Sequence, residues 1–383
     1  MRSFRNDTRE MMVKGHLFDF YHLTDYAYPP LWSWWLVTVY LLRPTLNYSD
    51  GIWLSLIKLP TILSNILLSS LVYAQLRRRE RGLSLLAGLF CLFHPHLIFV
   101  GTVWGMFDSL SALLLLYSTI LLSEGKSRAA GILMGLSALT KQYTLLTIPF
   151  LFLHAKRDPR KALEFLLIPI GIFTLASTPY LASDFSAYIE QVTYGVANVQ
   201  VEIRSRSGSL WFVMSLLAPL LWKEIPDWLV RIQYPVFFAL FLLIFLSYCL
   251  MKRRHREIGF STMNSAVLIP ILTFLLFSPV IHAQYFILLV PFSVLALSYM
   301  DRWRSIPLLA LTVLPSLQYV IWDIWFDQTT PILISADRTI REIFHLILDG
   351  WFWTLFPWLI LITCLLSLIL IFESEIRRSR SEP

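Results

Sequence analysis

The sequence predicts an all-α, polytopic transmembrane helical bundle of about eleven spans, and three observations predict it. Only 15% of the 383 residues are charged, while 56% are hydrophobic. A water-facing domain carries roughly 25% charged residues. Apolar runs long enough to match a bilayer core of about 30 Å recur along the whole chain. The Lys and Arg residues gather in short clusters between those runs, as cytoplasmic loops require. The net charge of +7 therefore argues for sidedness in a membrane and against a nucleic-acid partner.

The candidate spans are 52–76, 83–100, 107–122, 129–142, 143–153, 162–178, 231–251, 264–279, 284–299, 305–321 and 351–372. The fifth span, 143–153, is short and interrupted by Pro149, so the 129–153 stretch reads either as one long helix or as two spans, 129–142 and 143–153. Basic clusters stand at Arg77-Arg78-Arg79, Lys126/Arg128, Lys156-Arg157 with Arg160-Lys161, Lys252-Arg253-Arg254, Arg302/Arg304 and Arg377-Arg378. All six fall on one side only if 129–153 crosses twice, so two spans are expected. That side then holds most of the 32 Lys and Arg, and the other most of the 25 Asp and Glu. The N terminus is expected outside and the C terminus in the cytoplasm.

Residues 1–30 carry no apolar signal core, so the first true span has to direct insertion. The Leu31–Leu42 stretch follows Tyr28-Pro29-Pro30 and carries Trp32, Trp34 and Trp35. It is too short to span and reads as an interfacial helix, as do residues 210–222. Residues 1–383 form a single membrane-embedded domain in this reading, with outer loops 1–51 and 179–230 capping a site. The three cysteines fall in apolar runs with no ligand spacing, which excludes disulfide and zinc frameworks. No internal repeat supports a transporter or flippase.

Polar groups at the ends of spans are expensive and point to function. Asp7 lies in the outer N-terminal segment, with Asp19 and Asp25 between it and the Tyr28–Leu31 turn. Asp108 opens the span 107–122, where an acid caps free backbone N–H groups. His94 and His96 lack a third ligand at metal spacing and read as structural or substrate-contacting. Lys141 and Gln142 sit at an outer turn, where a lysine presents a cation to a phosphate at the membrane surface. Lys58 is a weaker case of the same kind. His282 follows Ser278-Pro279 at another outer turn, and the long loop adds Arg204 and Arg206 as further phosphate contacts.

In this order the residues resemble the GT-C superfamily of glycosyltransferases that use polyprenyl-phosphate sugars. Their sequence along the chain is similar to that of the dolichyl-phosphate-glucose glucosyltransferases of the N-glycan pathway and their archaeal and bacterial relatives. The resemblance rests on an outer acid, Tyr28-Pro29-Pro30-Leu31, Asp108-Ser109, Lys141-Gln142 and His282. It implies an inverting hexosyl transfer from a polyprenyl phosphate carrier to a lipid-linked glycan or other acceptor at the outer face. Asp7 matches the family's catalytic base by its place upstream of the Tyr-Pro-Pro-Leu turn. The family's first span has no counterpart here, which leads us to expect a start shortened relative to the family. Ala283 follows the histidine where the glucosyltransferases carry an acid, leaving glucosyl, mannosyl and other hexosyl transfer open. Because the chain has no Asp-x-Asp and no adjacent acidic pair, metal-independent catalysis without a cofactor is expected. The resemblance places the protein in the cell membrane of a prokaryote or the endoplasmic reticulum membrane of a eukaryote.

Overall fold

A computed structural model describes residues 28–46, 50–78, 81–155, 158–193, 209–211, 213–214, 227–252, 259–279, 281–325 and 338–381. Among them the chain is helical throughout and contains no strand. Helix α1 (Pro30–Leu46) leads into α2 (Asp50–Arg77) and α3 (Arg81–Leu92), followed by a π-helical turn, Leu97–Val103. Helices α4 (Asp108–Ser123) and α5 (Ser127–Thr140) form a hairpin. A 3-10 turn, Gln142–Thr147, then feeds α6 (Ile148–Ala155). Next come α7 (Pro159–Ser183), α8 (Phe185–Thr193), α9 (Asp227–Lys252) and α10 (Phe260–Phe277). A second 3-10 turn, Ala283–Leu288, precedes α11 (Leu289–Ala296), α12 (Arg302–Trp325) and α13 (Arg338–Ser381).

The all-α, multi-pass class holds, but the expected spans differ in length. Among the described residues, Gly51–Arg77, Pro159–Ser183, Arg231–Lys252, Phe260–Phe277 and Leu355–Arg378 are each long and apolar enough to cross a membrane. The pair Arg81–Leu92 and Leu97–Val103, bent by 43°, makes a sixth. The segments expected at 107–122 and 129–142 form helices of the expected 16 and 14 residues. Those at 143–153 and 284–299 open with 3-10 turns and form shorter α-helices, and 305–321 lies within α12. The 16 residues of α4 reach about 24 Å at 1.5 Å per residue, short of a ~30 Å core. Such helices are tolerated because they face protein: Ala112, Leu115 and Leu116 of α4 and every residue of α11 are buried.

Small residues and hydroxyls hold these helices together, as expected where lipid removes the hydrophobic drive for helix association. Gly131 and Gly135 lie one turn apart on α5 against α7. A Cβ on Gly135 would stand 2.9 Å from Ile172 Cβ and 3.1 Å from Pro169 Cα, so only glycine permits this approach. The α4–α5 hairpin is laced by serines. The Ser137 hydroxyl donates to the Ser111 carbonyl (2.9 Å), and the Ser118 hydroxyl to the Ala130 carbonyl (2.7 Å). Continuing that antiparallel register toward the open end of the hairpin brings residue 108 opposite residue 141.

The basic clusters meet at one end of the bundle. Glu124 pairs with Arg78 and Lys126, and Glu164 with Arg128 and Arg160. Glu375 pairs with Lys252 at 2.6 Å and with Arg378 at 2.8 Å, while Glu373 takes Arg304. Residues 129–153 accordingly fold back on themselves. Their turn at Lys141 meets Asp108 at the opposite end. His154 returns to hydrogen-bond the Tyr248 hydroxyl at 2.7 Å, one turn before Lys252.

Helix α1, apolar but too short to count among the spans, packs one face on the bundle and leaves Trp34, Leu41 and Leu42 exposed on the other. Trp32, Leu36 and Val39 are buried in a second apolar cluster with Trp53, Phe107, Tyr180 and Tyr188. The Trp34 indole donates to the Tyr180 hydroxyl at 2.9 Å. Of the expected helix 210–222 only a few residues are described; there Trp211 is buried and its indole donates to the Phe277 carbonyl at 2.7 Å.

Candidate functional site

The site lies at the end of the bundle away from the basic clusters, and three interrupted helices build it. The first interruption separates the π-helical turn from α4. Asn65 of α2 donates to the Leu97 carbonyl and the Thr102 hydroxyl, each at 3.0 Å, and Lys58 donates to the Val103 carbonyl at 2.8 Å. Lys58 is thus used on backbone freed at the end of the π-turn. Gly105 follows at φ 76°, a left-handed conformation that suits glycine. It delivers Met106, Phe107 and Asp108 to the site.

The second interruption is Lys141 itself. Its backbone is extended (φ −146°, ψ 112°), which ends α5. The Thr144 hydroxyl donates to the Lys141 carbonyl at 2.9 Å, satisfying an acceptor the break sets free. Pro279 ends α10 in the same way, and His282, also extended, begins the second 3-10 turn.

Asp108 does not cap its helix: the position before it, Phe107, carries the cap conformation and no side-chain cap bond forms. The carboxylate turns instead to Lys141, Oδ2 to Nζ 3.2 Å, and accepts from the Tyr143 hydroxyl at 2.6 Å. Both charged groups are fully buried. Lys141 is therefore not held out at the membrane surface, as its turn position suggested. Its ammonium sits 3.9 Å from the Tyr28 ring centroid and 4.5 Å from that of Phe107, both within cation–π range. Tyr28 meets Phe107 edge-on at 4.9 Å and Trp32 stacks on it at 4.4 Å. The Tyr-Pro-Pro-Leu turn thus serves to lay Tyr28 over the lysine.

A cavity of about 260 Å³ opens above this pair. Tyr28, Lys141, Gln142 and His282 line it, and so do Met106, Tyr143, Gln284 and Tyr285. Gln142 is oriented by α8, since its Nε2 donates to the Val192 carbonyl; its Oε1 has no hydrogen-bond partner. Tyr143 and Tyr285 lie 4.7 Å apart with Phe274 packed on both, at 5.3 Å and 5.4 Å. The His282 imidazole meets the Tyr285 ring edge-on at 5.4 Å. It lies in the turn between α10 and the second 3-10 segment. Burial first, and the Lys141 charge second, lower its pKa to about 4, so it is neutral near pH 7.

Five sequence candidates thus converge: Tyr28, Asp108, Lys141, Gln142 and His282. Asp7, Arg204 and Arg206 lie outside the described residues. His94 and His96 stand apart; His94 Nε2 pairs with the Thr312 hydroxyl at 3.1 Å and tethers α12. Tyr143, Gln284 and Tyr285, close along the chain to Lys141 and His282, join them in the lining without having been singled out by the sequence. An available signal was chemical: Asp108 and Lys141 are opposite charges in apolar surroundings, and such charges are retained in pairs.

The model of glycosyltransferase family 87 matches residues 26–279, a stretch that contains α1 to α10 and most of the cavity lining. The chain belongs to glycosyltransferase family 87, a GT-C-type family of membrane glycosyltransferases. No curated protein matches the chain.

Proposed function

Starting from a multi-pass membrane glycosyltransferase of family 87, we propose that it moves a hexose from a polyprenyl phosphate carrier, such as dolichyl phosphate, to a lipid-linked glycan or other acceptor. The observation that carries this reading is the cavity itself. It stands at the end of the bundle opposite the basic clusters, with Lys141 in its lining and Asp108 directly behind that lysine.

Lysine has three N–H donors. Asp108 holds the ammonium at 3.2 Å, and the cavity face is left to the donor phosphate. A buried cation fixed before the reaction stabilises charge that develops on a leaving group. In the proposed reaction Asp7 takes the proton from the acceptor hydroxyl. The acceptor oxygen forms a bond to the anomeric carbon as the bond from that carbon to the phosphate oxygen breaks, with inversion. The electron pair leaves on the carrier phosphate, toward Lys141 and His282. Arg204 and Arg206 of the long loop would add to the same phosphate, and loops 1–51 and 179–230 would cap the site. We place this site on the outer or lumenal face, the basic end in the cytoplasm and the N terminus outside. The membrane is the cell membrane in a prokaryote or that of the endoplasmic reticulum in a eukaryote.

The test incubates purified protein with radiolabelled polyprenyl-phosphate hexoses and measures acceptor-dependent release, with and without a divalent-metal chelator. Release that survives chelation is expected. Transfer from nucleotide sugars alone would overturn the donor assignment, and loss on chelation would overturn metal independence.

A further inference from the structure

Among the described residues the cavity's lining is aromatic and amide apart from Met106 and Lys141. We propose that its Tyr143–Tyr285 wall and its Gln142 and Gln284 amides form the subsite for the transferred sugar, and that they restrict it to a single uncharged pyranose. The inference rests on the proposed donor class and assigns four residues to the sugar rather than to the phosphate.

Size comes first. At about 260 Å³ the cavity falls below the roughly 300–1,000 Å³ of sites for drug-sized ligands. It suits one ring and not a chain of sugars. The walls fit such a ring. A pyranose has C–H-rich faces and a hydroxylated edge, and aromatic walls with a few placed polar groups are how concave sites orient such ligands. The Tyr143 hydroxyl is committed to Asp108, so this side chain offers the cavity its ring. Phe274 behind both tyrosines keeps the wall rigid. Gln142 is pinned through Nε2 to the Val192 carbonyl, leaving Oε1 as a fixed acceptor with no partner among the described residues. An acceptor in that position costs free energy unless a ligand hydroxyl donates to it. Gln284 is buried in the same lining.

Charge decides the class of sugar. Among the described residues Lys141 is the one charged side chain in the lining, and Asp108 with the carrier phosphate accounts for it. The His282 ring is neutral near pH 7. A uronate carboxylate or an amino-sugar ammonium would enter without a counter-charge, and desolvating an unpaired ion is far costlier than desolvating a hydroxyl.

Binding measured on the full chain in detergent separates the two assignments. The ligands are a polyprenyl-phosphate neutral hexose, its uronosyl analogue and sugar-free polyprenyl phosphate. Tyr285→Leu and Gln142→Leu should each weaken the neutral glycosylated donor tenfold or more, while sugar-free polyprenyl phosphate stays within about twofold. Tyr285→Trp, which keeps an aromatic wall, should retain donor binding and reports on folding. The wild type should bind the uronosyl analogue at least tenfold more weakly than the neutral donor. An equal loss of both ligands in the Leu variants, with Tyr285→Trp intact, would give the cavity to the phosphate and overturn this inference alone. Equal affinity for neutral and uronosyl donors would overturn the restriction to an uncharged ring. A wild type that binds none of the three would overturn the donor class and this inference with it.

Discussion

Lys141 Nζ and Asp108 Oδ2 stand 3.2 Å apart with both side chains fully buried, and this pair ties the fold to the site. Neither residue can be changed alone without leaving the other as an unpaired charge. Breaking a buried ion pair from one side costs about 3–5 kcal/mol, whereas replacing both partners by neutral groups is often close to harmless. Lys141→Met should therefore lower the thermal midpoint in detergent and reduce turnover by about 10²–10³, as when one oxyanion donor is lost. Adding Asp108→Asn should restore most of the midpoint and none of the turnover. A double variant that regains activity would show that the lysine acts only as a structural counter-ion.

The close approach of α5 to α7 positions that lysine, and it depends on Gly135. A side chain there meets Ile172 and the Pro169 backbone at about contact-forbidding range, so Gly135→Val should cost about 1–3 kcal/mol as an overpacked site. Turnover should fall with it, because α5 ends at Lys141. Gly171 provides the contrast: a Cβ at that position meets nothing within 4 Å. Gly171→Ala should be neutral or stabilising by up to ~1 kcal/mol. If both variants unfold at the wild-type temperature, the glycine contact does not hold the helices.

How much of this was legible in the sequence depends on what each feature obeys. The helical class and the basic end follow from composition and charge placement, which act locally. The run 107–122 has the expected length, and 284–299 breaks into a 3-10 turn and a shorter helix. That both face protein was not legible, because such apolar runs look alike whether they face lipid or protein. Charges from the whole chain asked residues 129–153 to turn back near their middle, and they do so at Lys141, although α5 and α6 are each shorter than a membrane-crossing helix. Asp108 was assigned to a cap because a helix N-terminus is a local need. Its true partner, 33 positions away, is selected by the Ser111–Ser137 register, which no local pattern displays. Tyr28, by contrast, was found through its Pro-Pro turn, and the structure supplies the reason by seating its ring on Lys141.

His282 yields a pH prediction whose sign follows from its environment. An imidazole taken as a proton donor would lose activity as pH rises through about 6.5. With its pKa lowered to about 4 by burial and by Lys141, it is already neutral at pH 6. No loss should accompany a rise through 6.5. The folded state binds fewer protons than the unfolded one between about 4 and 6.5. This contribution to stability is complete above 6.5 and lost as pH falls toward 4. Donor-saturation rates across pH 5–8 check the first point, and a thermal-midpoint series the second. An activity limb near 6.5 that vanishes in His282→Gln would place the protonated ring in the mechanism instead.

Asp7 is the proposed base, and its test has to discriminate it from near neighbours. It lies upstream of the Tyr-Pro-Pro-Leu turn, whose Tyr28 covers Lys141 at 3.9 Å. To accept the acceptor's proton, a carboxylate must come within about 2.6–3.2 Å of that hydroxyl. Asp7→Asn keeps size and hydrogen bonding while removing the base. Binding of the polyprenyl-phosphate hexose should survive in that variant, and turnover should fall by about 10²–10⁴, the usual contribution of a general base. Asp19→Asn and Asp25→Asn are the controls, being carboxylates of the same segment, and each should retain turnover within a few-fold of wild type. A dead Asp19 or Asp25 variant beside an active Asp7→Asn would move the base to that residue. Full activity in all three would remove the N-terminal segment from the proton transfer and leave the base to be sought elsewhere around the cavity.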